Sequence, residues 1–188
     1  MTESRMNRRE SPMNPNEPPK ENTTGLLRLF VYGTLKQGYW NHERFCRGVL
    51  SVEEAVVRGR LYELPSGIPV LEVPEADVLA YGTADPLADV ATQARFAEDL
   101  ASILKPVPES ATAGDCGPVY GELLSFDDPE TRLPAIDRLE GFHPGGSSLY
   151  RRVLVPVKLD GAAFPTWLYA GQPSRSGLRF LPFGSWPS

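Results

Sequence analysis

The chain has 188 residues, 41% of them hydrophobic, and a formal net charge of −5. No apolar run approaches the roughly 18 to 20 residues of a membrane span, and Lys and Arg scattered under a net negative charge argue against a nucleic-acid or acidic-membrane partner. A chain of this length buries about 70% of its unfolded surface, which suits one domain with its own core, and the expected partner is a small molecule.

Nineteen prolines and seventeen glycines point to short elements joined by turns rather than to a helical bundle. Cys46 and Cys116 make neither a disulfide scaffold nor a repeated metal motif, so a reducing cytoplasm is the expected location. The polar start Met1-Thr2-Glu3-Ser4-Arg5 has no apolar core of an export signal.

Residues 1–25 carry Pro12, Pro15, Pro18 and Pro19 among polar residues, and such a segment cannot bury enough surface to offset its ordering entropy. A disordered tail is expected there, with a single folded domain over residues 26–188. Leu29 to Tyr32 has strand character and empties into Gly33-Thr34-Leu35-Lys36-Gln37-Gly38. Glycine frees the turn, and the N–H groups of Gly33, Thr34 and Leu35 could converge on one anion as a nest. Read locally, the same residues are equally a plain turn after a buried strand. Asn41 is placed to cap a short helix reaching Gly48, with Phe45, Cys46 and Val49 inward.

The alternation from Glu54 to Tyr62 predicts a half-buried strand, and Val70 to Val73 a second after the turn at Pro65-Ser66-Gly67. Over residues 85–105 the period changes. Asp85 as N-cap, Pro86 in the first turn, and Leu87, Val90, Ala94, Ala97, Leu100, Ala101 and Leu104 at three- and four-residue steps predict an amphipathic helix. A strand over Val119–Phe126 follows, then a helix opened by Asp127-Asp128-Pro129-Glu130, with Pro134 starting its second turn or kinking it, and capped by Gly141. Tyr150–Leu159 and Phe164–Tyr169 flank Asp160-Gly161 as a hairpin, and Leu178, Phe180, Leu181, Phe183 and Trp186 in the tail are expected to pack on the surface.

The second half of a site is sought in Ile136-Asp137-Arg138-Leu139-Glu140-Gly141-Phe142. Ile136, Leu139 and Phe142 anchor the segment, and Glu140 beside them meets desolvation and the negative end of the helix dipole, both of which favour its neutral form. Taken alone, Glu140 is an ordinary exposed residue at a helix end. Glu122, on the preceding strand, is expected to face solvent or an Arg. Arg152 either pairs with a surface acid or holds a ligand carboxylate, since its guanidinium fork suits both. His42 with Cys46, or these with Cys116 and His143, lack the local signatures of a nucleophile pair or a zinc set, and Cys46 reads better as a small buried hydrophobe. Trp40 reads as a wall of a cavity mouth.

Tyr32-Gly33-Thr34-Leu35-Lys36 with Gly38, Asn41-His42, Leu139-Glu140, Tyr150-x-Arg152 and Tyr169, in that order, resemble the gamma-glutamylcyclotransferase-like (AIG2-like) family, most closely its branch acting on gamma-glutamylamines. The resemblance implies an α+β fold, a small mixed β-barrel with flanking helices. It implies release of 5-oxoproline from a gamma-glutamyl substrate without a cofactor or metal. Carried over by position, Gly33, Thr34 and Leu35 bind the glutamyl group through backbone N–H, Glu140 is the acid/base, and Tyr32, Tyr150, Arg152 and Tyr169 line or support the pocket. The segment between Val73 and Gly117 is longer than the resemblance implies and could be a lid or a dimer surface. The loop His143 to Ser148 leaves the connection from Glu140 to Tyr150 loose. The rival reading is a binding domain that keeps the cavity without the reaction. Neither the leaving amine nor the oligomeric state is legible.

Overall fold

A computed structural model describes residues 25–103, 116–171 and 177–187, with the side chains of residues 99–103 left aside. The expected tail over residues 1–24 therefore lies outside the described residues, as does the end of the long helix beyond Ile103.

In chain order the elements are β1 (Leu27–Val31), α1 (Trp40–Phe45), β2 (Ser51–Glu63), β3 (Pro69–Glu72), a single helical turn (Glu75–Asp77), β4 (Ala80–Tyr81), α2 (Pro86–Ile103), β5 (Gly117–Phe126), α3 (Pro129–Glu140), β6 (Tyr150–Leu159), β7 (Ala162–Gly171) and β8 (Arg179–Phe180). Strands pair in the order β2-β5-β1-β7-β6, and β6 returns to β2, so five strands close on themselves. β1 runs parallel to β7 and every other pairing is antiparallel, giving a mixed barrel. β3 and β8 extend β2 outside the closed path, and β4 extends β6.

Period-two alternation divides the core into two. Phe30, Val57, Val119, Leu123, Val155 and Leu168 belong to one buried cluster, enclosed by the strands. Their neighbours Leu29, Leu124, Leu154 and Trp167 belong to the second, which packs under the helices with Leu133 and Ile136 of α3. β1 buries both faces, which is why its sequence is a nearly unbroken apolar run. Gly121 on β5 is required by proximity, because a Cβ there would lie 2.3 Å from the Val31 carbonyl oxygen. The β6–β7 hairpin turns at Asp160 and Gly161, both left-handed at φ 49° and 79°, as Asp-Gly pairs favour.

Three features differ from the sequence expectation. α2 turns its polar residues inward: Asp89 and Gln93 are buried while Leu87 is 52% exposed. The reason lies outside the helix. Gln93 accepts from the Arg28 N–H and donates to the Leu26 carbonyl at the start of β1, and Asp89 pairs with Arg152. α2 thus packs against β7 and α3 as part of the outer layer. α3 runs through Pro134 unbroken, with Pro129 in its first turn and Gly141 left-handed at its end. The C-terminal segment does not lie on the surface throughout: Leu181 and Trp186 are buried in the enclosed cluster, whereas Phe183 is exposed.

Candidate functional site

β1 ends at Val31, and the chain leaves the barrel through Tyr32 and the turn closed by the Lys36 N–H to the Gly33 carbonyl. Gly33 is not left-handed; the left-handed residue of this loop is Gly38, at φ 87°. Glycine is needed at position 33 for space, since a Cβ would stand 2.9 Å from Pro69 Cγ. The loop is held from three sides. Glu122 accepts from the Gln37 N–H at 2.8 Å, so it faces the loop instead of solvent or an Arg. Asn41 donates to the Thr34 hydroxyl oxygen at 2.8 Å, and Lys36 donates to the Trp186 carbonyl. Asn41 lies inside α1, after Tyr39 as the cap, and so is a brace for the loop rather than a helix cap.

Glu140 closes the opposite side. It is the last residue of α3, and Gly141 then turns the chain back while the Phe142 N–H caps onto the Asp137 carbonyl. Phe142 is buried and meets Tyr169 edge-on at 6.4 Å. The loop that follows is tied, not loose: the His143 N–H donates to Ser148 Oγ, that hydroxyl donates to the His143 carbonyl, and the Leu149 N–H donates to the Gly141 carbonyl.

Between these two sides lies a cavity of about 50 Å³, lined by Tyr32, Gly33, Thr34, Leu35, Glu140, Tyr150 and Tyr169 with Phe30, Val31, Ile68 and Pro69. Burial pushes the Glu140 carboxyl up to about 7, so it holds or loses a proton near neutrality. Burial also raises the phenols of Tyr32, Tyr150 and Tyr169, and the Glu140 charge adds to the effect in each, with Tyr150 at about 12. All three stay neutral donors. Two are committed to the wall: Tyr32 donates to the Tyr169 carbonyl and Tyr169 donates to Asp137, each at 2.7 Å. Among the described residues Tyr150 has only a long 3.5 Å contact to the Pro69 carbonyl, a weak tie for a hydroxyl that lines the cavity. Among the described residues no hydrogen bond takes up the N–H groups of Gly33, Thr34 or Leu35. The cavity is therefore lined by three residues whose backbone N–H groups have no described partner and by a carboxyl poised to exchange a proton.

Of the residues that the family resemblance assigned to the site, Arg152 is the one not among the lining of this cavity. Its side chain is buried against Asp89 at 2.8 Å and Asp137 at 3.3 Å, donates to the Thr83 carbonyl, and lies over the rings of Phe142 and Trp167. The pair expected at the surface is internal, and through Asp137 it reaches Tyr169. Asp137 is the member that sequence reasoning missed, although it lies three residues before Glu140 on the same helix. Cys46 is buried, burial pushing its thiol up to about 11, while His42 Nδ1 contacts the Leu35 carbonyl. The described residues contain no group of three or more His, Cys, Asp or Glu that could hold a metal ion.

A second, wider chamber of about 470 Å³ adjoins the first and shares Thr34, Ile68, Glu140 and Tyr150 with it. Trp40 stands in its wall, at the mouth.

The sequence profile of a family described as gamma-glutamyl cyclotransferase, AIG2-like, matches residues 29–98 and 87–188. Among solved structures, a crystal structure of an AIG2-like protein from Mus musculus is similar in fold, with a TM-score of 0.50 and 19% identity over 86% of this chain and 88% of that one. YkqA from Bacillus subtilis gives 0.49 and 18% over 86% of this chain and 39% of its own. An uncharacterized protein from Pyrococcus horikoshii gives 0.46 and 17% over 85% and 88%. No curated protein matches the chain.

Proposed function

Since this chain belongs to the gamma-glutamyl cyclotransferase, AIG2-like family, we propose that its cavity converts a γ-glutamylamine into 5-oxoproline and a free amine. One observation carries the reading. The raised carboxyl of Glu140 lines the same cavity as the N–H groups of Gly33, Thr34 and Leu35.

The reaction needs little from the protein beyond that pairing. Glu140 takes a proton from the substrate's α-ammonium, and the freed amine attacks the γ-carbonyl carbon, closing a five-membered ring. Negative charge moves onto the carbonyl oxygen, where backbone N–H groups and the Tyr150 hydroxyl stabilise it. Glu140 passes this proton to the leaving nitrogen as its bond to carbon breaks, then takes the second proton that the ring nitrogen sheds to become an amide and hands it to the departing amine, which leaves as an ammonium. One carboxyl serves both transfers because its proton is held near neutral pH, where neither direction is steeply uphill. Holding the amine over its own carbonyl can contribute roughly 7 to 11 kcal/mol, and the proton shuttle about 10² to 10⁴ in rate. No side-chain nucleophile and no cofactor is called for.

The test is incubation of the protein with γ-glutamylmethylamide, with 5-oxoproline and methylamine both quantified by mass spectrometry. The expected result is equimolar release of the two. No release by the folded protein from this or any larger γ-glutamylamine would replace the reading with that of a ligand-holding cavity.

A further inference from the structure

We propose that the outer chamber selects an uncharged, apolar amine as the leaving group, an inference that rests on the reaction proposed above. The inner cavity and the outer chamber meet at Glu140 and Tyr150, so a glutamyl group held at the Gly33 loop directs its amide nitrogen and everything beyond it into the outer chamber. That chamber is walled by Trp40, Leu64, Ile68, Val70, Leu139 and Leu149. Trp40, Ile68 and Leu149 are 68%, 47% and 79% exposed, three large apolar side chains standing open around one mouth. They are brought there by separate elements: Trp40 by α1, Ile68 by the turn before β3, and Leu149 by the loop after α3. Covering them with an apolar group removes surface from water on both sides.

The polar lining is as informative. It consists of Thr34, Asn41, Glu140 and Tyr150, with the Gly171 backbone, and none of the described lining residues is cationic. An amino acid as leaving group would carry its carboxylate into this chamber, beside Glu140 and without a described positive partner. A carboxylate there meets the like charge of Glu140 with no described cation to offset it, which disfavours it. Thr34 is already engaged by Asn41, so these two groups offer the leaving group little to bind. The chamber accepts bulk and rejects a negative charge.

The experiment compares kcat/KM for four γ-glutamyl compounds: methylamide, phenethylamide, the dipeptide with phenylalanine, and the derivative of 1,4-diaminobutane. Phenethylamide and the dipeptide differ only by a carboxylate. We expect phenethylamide to exceed methylamide and the dipeptide each by at least about tenfold, in line with what an apolar pocket discriminates, and to exceed the diamine derivative. In Trp40→Ser/Leu149→Ser, both substitutions at exposed positions, the ratio of phenethylamide to methylamide should fall towards one. Methylamide or either charged compound matching phenethylamide would overturn the proposal. Calorimetric affinities of the same four compounds for Glu140→Gln keep the two readings apart. If the native protein turns over none of them, the proposed reaction fails, while tighter binding of phenethylamide still supports the apolar chamber and equal binding overturns it.

Discussion

The Glu140 residue is half-buried at the end of α3, and desolvation of its carboxyl lifts it from an ordinary 4.5 to about 7. The shift has a consequence for stability. Between about pH 4.5 and 7 the folded chain holds this proton more tightly than the unfolded chain does, so stability falls as pH rises through that window and is level above it. A shift of this size corresponds to at most about 3 kcal/mol. Glu140→Gln removes the charge and keeps the shape, so the melting temperature should rise by a few degrees at pH 8 and change little at pH 4, as calorimetry at the two pH values would read. A residue stabilised by its own removal at working pH is kept for something other than folding. On the facing side, Gly33→Ala places a methyl against Pro69, and kcat/KM on a γ-glutamylamine should drop at least about tenfold, since sub-ångström displacement of a positioning group is costly. A steady-state assay on the variant checks this, and unchanged kcat/KM would remove the Gly33 loop from the substrate site.

Among the elements, α2 and α3 owe their docking to charge as much as to apolar contact. Arg152 on β6 joins Asp89 of α2 to Asp137 of α3, and Asp137 in turn receives the Tyr169 hydroxyl from β7. Removing Asp89 leaves the buried Arg152 charge with Asp137 as its one described carboxylate partner, at a cost of up to about 3–5 kcal/mol. Asp89→Leu should therefore destabilise strongly in urea, whereas Asp89→Leu with Arg152→Met should recover much of the loss, a coupling that a double-mutant cycle measures. The same network shows where sequence pattern stops being informative. The strand that empties into the Gly33 turn and the helix that ends at Glu140 were legible as elements from local signals, whereas setting the two against each other across a cavity came from the family resemblance. The inward face of α2 was not, because the burial of Asp89 and Gln93 depends on Arg152 and on the start of β1, more than sixty residues away in sequence in each case. Periodicity sees apolar residues and cannot see a polar residue buried with its partner. Arg152 had the same difficulty: its residue type pointed to a carboxylate, and only the fold identifies which.

For the whole molecule, barrel closure decides what the C-terminal segment does. The strand alternation and the hairpin were visible in the sequence, and the small mixed barrel with helices was what the family resemblance implied, but nothing local marks Leu181 and Trp186 as members of the enclosed core. They enter it beside Tyr39, whose ring lies 5.4 Å from that of Trp186. The Trp186 carbonyl also receives Lys36 from the candidate site's own loop. Two such buried side chains contribute roughly 1.5–3 kcal/mol each, so a chain ending at residue 177 should melt well below the full-length protein and lose activity at temperatures where it remains folded. Thermal scans paired with assays test both parts. Among the described residues no helix is long and apolar enough to cross a membrane.

The account stands on Glu140 as the proton carrier facing the Gly33 loop. The most direct measurement is 5-oxoproline release from γ-glutamylmethylamide by the native protein and by Glu140→Gln at pH 8, with circular dichroism confirming that both are folded. The account predicts a loss of at least about 10²-fold in the variant, and a native rate that falls as pH drops below about 7. Release by folded Glu140→Gln at the native rate would contradict it.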